Sequence, residues 1–275
     1  MGHDTKKAKE ADEAPPPPYS PATPPSKQTQ IVQTPQQVQA QPKRHFPRAF
    51  NMYRESSWTE RSFMLGEHQG APLYAVTLHS GWSGQPDVVL HNGPSEALPP
   101  LAGAARARFG SSATVTLRPI PGSGLQPAEE RVEARSAGFG PPAYAFAIEV
   151  GGRRESFEWR HSSGGAVKAL GARGSGWKLV RLATGAPAGI GGDGGASFVG
   201  RGVTASDGKE VVAVWAWASG SLTKKLKFQF LGSGANGVLG ERWAIMAVIT
   251  ALRIWDRERR QRNSSAAAGG AGAGA

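Results

Sequence analysis

The chain contains no cysteine, which excludes disulfides and thiolate metal centres. Its opening residues, Met1-Gly2-His3-Asp4-Thr5-Lys6-Lys7, are polar and lack the apolar core of a signal peptide, so secretion by that route is not expected. Met1-Gly2 misses the myristoylation pattern, because Lys6 stands where Ser or Thr is needed. A long hydrophobic run is missing too. The most apolar stretch, Trp243 to Leu252, offers about ten residues, or about thirteen if continued across Arg253 to Trp255, against the roughly twenty that span a bilayer. Acidic residues are in deficit: 32 Lys and Arg face 21 Asp and Glu, a net charge of +11. Such a surface favours anionic partners, whether lipid headgroups, nucleic acid or acidic proteins. The expected location is the cytoplasm, with at most a peripheral place at a membrane.

Apolar residues are sparse before residue 48. A Lys/Glu patch, a proline run from Pro15 to Pro25 and a Gln/Pro stretch to Pro42 cannot bury a core, so 1–47 reads as a disordered tail. The Ala/Gly stretch 263–275 reads the same way, and Asn263-Ser264-Ser265 as a chance sequon. Between them, 48–262 reads as one domain. From Arg48 to Gly240 short Val-, Phe-, Trp- and Tyr-rich segments alternate with Gly and Pro, the pattern of an all-β protein. Strands are expected at 61–68, 72–79, 86–92, 102–108, 113–118, 130–135, 143–150, 154–160, 176–183, 197–203, 209–218 and 224–231. Two show period-2 alternation plainly: Leu226, Phe228 and Phe230 oppose Lys225, Lys227 and Gln229, and Phe157 and Trp159 oppose Ser156, Glu158 and Arg160. About a dozen strands favour closure, since a closed barrel has no exposed edges. Gly185 to Gly195 reads as a loop.

One helix is expected, over 238–262. Its middle is apolar all round, and such a helix is buried whole or lies in a membrane; its length selects burial. Gly237 and Gly240 mark its approach. Glu241 falls in the first turn, where the helix dipole favours a carboxylate, and Arg257, Arg259, Arg260 and Arg262 fall at the expected far end, where it favours cations. Trp243, Ile245, Met246, Val248, Ile249, Leu252 and Trp255 are the expected core, each worth about 1.5–3 kcal/mol on burial. A barrel lacking this helix is not expected to fold. The fold class is therefore mainly β: a closed antiparallel barrel of about twelve strands around a buried hydrophobic C-terminal helix.

These stretches resemble the tubby C-terminal-like superfamily, which takes in tubby proteins, phospholipid scramblases and plant LURP-one-related proteins, and most of all its uncharacterised fungal members. The resemblance rests on Pro72-Leu-Tyr-Ala-Val-Thr-Leu-His79, Val89-Leu-His-Asn-Gly-Pro94, Glu155-Ser-Phe-Glu-Trp-Arg-His161, Gly176-Trp-Lys-Leu-Val-Arg-Leu182 and the run from Lys225 through Arg260. It covers most of 60–262. It implies the helix-threaded barrel. For function it implies phosphoinositide binding, a link to lipid scrambling, or no assigned role, and no lipid-site motif transfers residue by residue.

Catalytic signatures are weak. Gly232-Ser-Gly234-Ala-Asn-Gly237 follows a strand with dinucleotide spacing, but no second parallel strand and no ribose-binding acid follow. Gly189-Ile-Gly191-Gly-Asp-Gly194 has the same spacing inside a glycine run. His68, His79 and His91 could sit at neighbouring strand ends, yet they lack a tight ligand spacing and accompanying acids. No G-x-S-x-G elbow occurs. The expectation is a non-enzymatic protein without cofactor or metal.

Binding signals are stronger. Pro16-Pro17-Pro18-Tyr19 matches the P-P-x-Y ligand of WW domains, in chain already inclined to polyproline II. Ser20-Pro21, Thr23-Pro24 and Thr34-Pro35 could take phosphate beside it. Basic clusters occur at Lys43-Arg44, Arg153-Arg154, Lys224-Lys225 with Lys227, and Arg253 to Arg262. In the last, five Arg against Asp256 and Glu258 leave a net of +3. Near an anionic leaflet each such charge can contribute about 1 kcal/mol. Trp215 and Trp217 share a strand face and read as core; Trp58 and Trp82 fall in loop-like contexts. No nucleic-acid motif stands out. The leading expectation is a monomeric tubby-like barrel associating with anionic lipid, with Arg153, Arg154, Lys225 and Lys227 as candidate headgroup contacts. An adaptor presenting Pro16, Pro17 and Tyr19 to a WW-domain protein, and a scramblase-like membrane protein, are the alternatives.

Overall fold

A computed structural model describes residues 46–55, 61–80, 83–107, 111–119, 126–136, 140–171, 174–187 and 203–271. Its strands are β1 (Ala49–Arg54), β2 (Ser62–Gly66), β3 (Tyr74–Leu78), β4 (Val88–His91), β5 (Pro100–Arg106), β6 (Ala113–Leu117), β7 (Ala128–Arg135), β8 (Ala143–Val150), β9 (Arg153–Ser162), β10 (Gly176–Arg181), β11 (Val211–Trp217) and β12 (Lys224–Phe230). The helices are α1 (Gly165–Lys168), α2 (Gly232–Asn236) and α3 (Glu241–Ala271). The strands form one antiparallel meander, each paired with the next, and β1 closes it against β12 into a twelve-stranded barrel.

Alternation decides what faces in. Leu226, Phe228 and Phe230 of β12 are buried, as are Phe157 and Trp159 of β9, while the residues between them are half-buried or exposed. The lining continues around the wall, where Trp177 of β10 stacks on Trp215 of β11 at 6.2 Å between ring centroids. A second apolar cluster lies on the outer face of β10 and β11, where Val180, Val211 and Val214 are covered by Val167 of α1 and by Ala205.

The barrel interior is filled by α3. From Ile245 to Asp256 every residue is buried, and each of the seven expected core residues is 2 % exposed or less. Trp243 packs against Phe157 and Phe230 at 5.6 and 5.8 Å, and Phe63 meets the Trp255 ring edge-on at 5.2 Å. The chain enters through Gly237 and Gly240, both at positive φ, which glycine adopts without the cost a Cβ brings. Toward this end the buried Arg181 donates two hydrogen bonds to Glu155, at 2.6 and 2.9 Å, and a third to the Gly185 carbonyl.

Several expectations need correction. The first strand, β1, falls outside the twelve expected segments, although Phe50 and Met52 alternate inward. Of the strand expected at 197–203 only Val203 is described, and it lies outside the strands. The stretch Gly232 to Asn236 is a further short helix where only one helix is expected. Glycine is required at 234, where a Cβ would lie 2.6 Å from the Trp243 ring and closer still to the Val212 carbonyl. The long helix starts at Glu241 rather than 238 and runs to Ala271, nine residues beyond the expected end at Arg262. Alanine is the strongest helix former, and Ser264 and Ser265 back-bond to the Gln261 carbonyl. Most of the stretch expected as a disordered tail is therefore helix. It follows that the arginines from 257 to 262 are not at the helix terminus, whose last turn carries no basic residue. Their placement needs another explanation than the helix dipole.

Candidate functional site

Barrel closure brings three connections to the point where α3 leaves the wall. Asp87, just before β4, is 5 % exposed, and its Oδ2 accepts a hydrogen bond from the Arg106 backbone N–H at 2.8 Å. Arg253 and Arg260 of α3 approach Asp87 from the other side, each at 3.8 Å. Asp256 is fully buried and accepts from Arg259 at 3.1 Å and from Arg260 Nε at 2.7 Å. Arg260 also donates to the His79 carbonyl at 2.9 Å, and the Arg257 guanidinium sits 5.7 Å from the centre of the Tyr144 ring. On the helix flank Glu258 accepts the indole N–H groups of Trp177 and Trp217 at 2.9 and 2.6 Å, and Arg262 covers the Trp217 ring at 4.1 Å. These contacts fix the rotation of α3 as it emerges.

What this leaves open is a cleft of about 200 Å³ lined by Arg106, Ser111, Arg253, Arg257 and Arg260. Among the described residues no carboxylate lines it. Burial holds the Arg253 guanidinium below its ordinary pKa; Asp87 and Asp256 offset this in part, while Arg106 and Arg260 add to it by repulsion. Burial likewise raises the Tyr144 phenol, against the pull of Arg257 and Arg253. Two buried donors here, Arg253 Nε and Arg257 Nη1, have no hydrogen-bond partner among the described residues. A buried unsatisfied donor is costly. The arrangement is chemically an anion receptor: crowded guanidinium groups, unused donors and a hydroxyl at the rim.

The four candidate headgroup residues are not brought together. Arg153 and Arg154 begin β9, whereas Lys225 and Lys227 lie on β12, with β10 and β11 between them. Arg154 is engaged by Glu130 through two hydrogen bonds, at 3.2 and 2.6 Å, and that pairing raises its pKa. It borders an outer groove with Arg131, Glu133 and Arg135, where Glu133 is paired with both arginines at 3.8 and 3.7 Å. Lys227 donates to the Leu170 carbonyl at 2.8 Å and Lys225 to the Leu222 carbonyl at 2.9 Å. Arg153 is exposed at the strand's start.

Other candidates are accounted for structurally. The Ser233 N–H and hydroxyl of α2 both go to the buried Glu210 carboxylate, at 2.7 and 2.9 Å, so these donors of the glycine-spaced turn are spent on a carboxylate of the protein rather than open to a phosphate. Both ring nitrogens of His91 are engaged, Nδ1 by the Leu98 carbonyl and Nε2 by Thr77, which also meets His79. His68 lies in a separate turn bridged to Ala71, and no metal-binding cluster exists among the described residues. Trp215 is core, while Trp217 is half-buried against Trp255 and Glu258. Pro16, Pro17, Tyr19, Trp58 and Trp82 lie outside the described residues.

Half of the cleft was readable beforehand. Arg253, Arg257 and Arg260 stand at i, i+4 and i+7, a spacing that puts them on one helix face. Arg106, Ser111 and Asp87 carry no such signal, because only the barrel's closure brings their connections to that face. No protein family, curated protein or solved structure matches the chain.

Proposed function

We propose that this protein is a non-enzymatic barrel that associates with anionic lipid at a membrane surface. One observation carries the reading: where α3 leaves the wall, four arginines converge on a cleft that, among the described residues, no carboxylate lines. The net charge of +11 adds a long-range attraction to an anionic leaflet. Membership in the tubby C-terminal-like superfamily is part of the proposal, supported by a twelve-stranded barrel closed around a hydrophobic helix. A peripheral rather than spanning association is favoured because the apolar face of α3 is spent against the barrel wall. No helix among the described residues is long and apolar enough to cross a membrane. The cleft, rather than Arg153, Arg154, Lys225 and Lys227, is the part of the surface on which the reading rests.

Vesicle sedimentation tests it. The full chain is expected to pellet with phosphatidylcholine vesicles that contain phosphoinositide, to remain in the supernatant with phosphatidylcholine alone, and to be released as salt rises. Equal pelleting with both vesicle types, or pelleting with neither, would contradict it.

A further inference from the structure

Counting charge at the cleft narrows the ligand. Four guanidinium groups, those of Arg106, Arg253, Arg257 and Arg260, face two carboxylates, those of Asp87 and Asp256. Four minus two leaves two positive charges uncompensated. Adding Glu258, Arg259 and Arg262, the other charges of this stretch of helix, makes six against three and an excess of three. A carboxylate or a phosphodiester brings one negative charge and would balance at most half of either excess. A phosphomonoester brings about 1.5–2 negative charges at pH 7, together with three strong acceptor oxygens.

We infer that the cleft formed by Arg106, Ser111, Arg253, Arg257 and Arg260 binds a phosphomonoester. Its donors match that group. Arginine presents a planar fork that meets phosphate oxygens in pairs, and the buried Arg253 Nε and Arg257 Nη1 have capacity unused among the described residues. The two contacts to Asp87, at 3.8 Å, are longer than hydrogen bonds, so Arg253 and Arg260 are held near the cleft without being saturated by that carboxylate. Ser111, exposed at the rim, adds a hydroxyl that can donate to an oxygen or accept from an adjoining alcohol. The volume admits a phosphoryl group with part of the alcohol it esterifies. Arg253 is 8 % exposed, so its attraction to the ligand acts through a poorly screening environment. The inference rests on the membrane reading only for the ligand's source: the same chemistry is offered by a lipid headgroup and by a free phosphorylated metabolite.

Calorimetric titration of the full chain with inositol 1,4,5-trisphosphate, and with the diester glycerophosphoinositol as control, tests the site. The trisphosphate is expected to bind at least about tenfold more tightly than the diester, a difference of about 1.4 kcal/mol. Arg257→Gln and Arg106→Gln are each expected to weaken it by about fivefold or more, while Arg131→Gln, on the outer groove, leaves it within about twofold. Near-ultraviolet circular dichroism shows that the variants are folded, and Ser111→Ala provides a rim variant that leaves the buried arginines untouched. Equal affinity for monoester and diester, or folded Arg257→Gln and Arg106→Gln proteins that bind as the parent does, overturns the inference. A parallel vesicle arm compares phosphatidic acid, a phosphomonoester lipid, with phosphatidylserine at matched charge. Pelleting that prefers phosphatidic acid and is lost in both arginine variants supports the site with a lipid source. Trisphosphate binding without pelleting supports the site with a soluble source and removes the membrane reading. Pelleting unaffected by both variants, with no trisphosphate binding, removes the site and leaves the membrane reading standing.

Discussion

Trp159, in the wall on β9, donates its indole N–H to Thr250 Oγ1 in the middle of α3 at 2.9 Å. The hydroxyl in turn donates to the Met246 carbonyl at 2.7 Å, a turn earlier in the same helix. Thr250 is the one polar side chain in the apolar run from Trp243 to Leu252, and both of its roles are used. The contact joins residues 91 positions apart and sets both the depth and the rotation of the helix within the barrel. Rotation matters outside the core, because it decides that Arg253, Arg257 and Arg260 arrive together opposite Arg106 and Asp87.

Thr250→Val is expected to destabilise the fold by about 1–3 kcal/mol, since the buried Trp159 N–H loses its acceptor while the packing volume is nearly kept. Urea denaturation measures this. A cycle with Trp159→Phe is expected to show positive coupling, the double variant losing less than the two single losses added.

Trp243→Ala removes the ring on which Phe157 and Phe230 pack and is expected to cost about 3–5 kcal/mol. Leu222→Ser, at a side chain 92 % exposed, is expected to change stability by less than about 0.5 kcal/mol. Thermal or chemical denaturation of the two variants side by side separates plug packing from general sensitivity.

Strands with clean alternation, such as β9 and β12, could be read from the sequence because each has one dry and one wet face. The plug could be read as well, because a helix apolar on every side and too short for a bilayer has few other places to go. Closure could not. Strand β1 joins β12 to β2, and the two inward residues Phe50 and Met52 are too short a pattern to stand out between Pro47 and Arg54. The cleft was half visible for a related reason. Helical spacing announces Arg253, Arg257 and Arg260, whereas Arg106 and Asp87 reach them only through pairing between strands distant from α3 in sequence. Choosing Arg153, Arg154, Lys225 and Lys227 by charge alone overlooked their partners: Glu130 and two backbone carbonyls engage three of the four.

Asp87→Asn keeps an acceptor for the Arg106 N–H but raises the positive excess at the cleft from two to three. It is expected to lower stability, since Arg253 and Arg260 lose a buried counter-charge, and to tighten trisphosphate binding by about several-fold. Stability and affinity moving in opposite directions mark a site kept at some cost to the fold; denaturation and titration of the same preparation report both.

The Tyr74 phenol is pushed up to about 12, chiefly by burial and secondarily by the nearby Glu241 carboxylate. In the unfolded chain it ionises near 10. The folded state therefore holds its proton longer, so this contribution to stability is complete below about pH 10 and is lost as pH rises from there toward 12. The expected result is an alkaline fall in melting temperature that is smaller in Tyr74→Phe, and a late step in ultraviolet phenolate titration that the variant lacks.

Amide hydrogen exchange along α3 tests the enclosure of the helix most directly. Residues 243–256 are expected to exchange only through global unfolding, as slowly as the amides of β9 and β12, while 263–268, whose side chains are exposed, exchange far faster. Exchange of 243–256 that outruns β9 and β12 would mean that the barrel stands without its helix, and would contradict both the plug and the placement of the arginine cleft that depends on it.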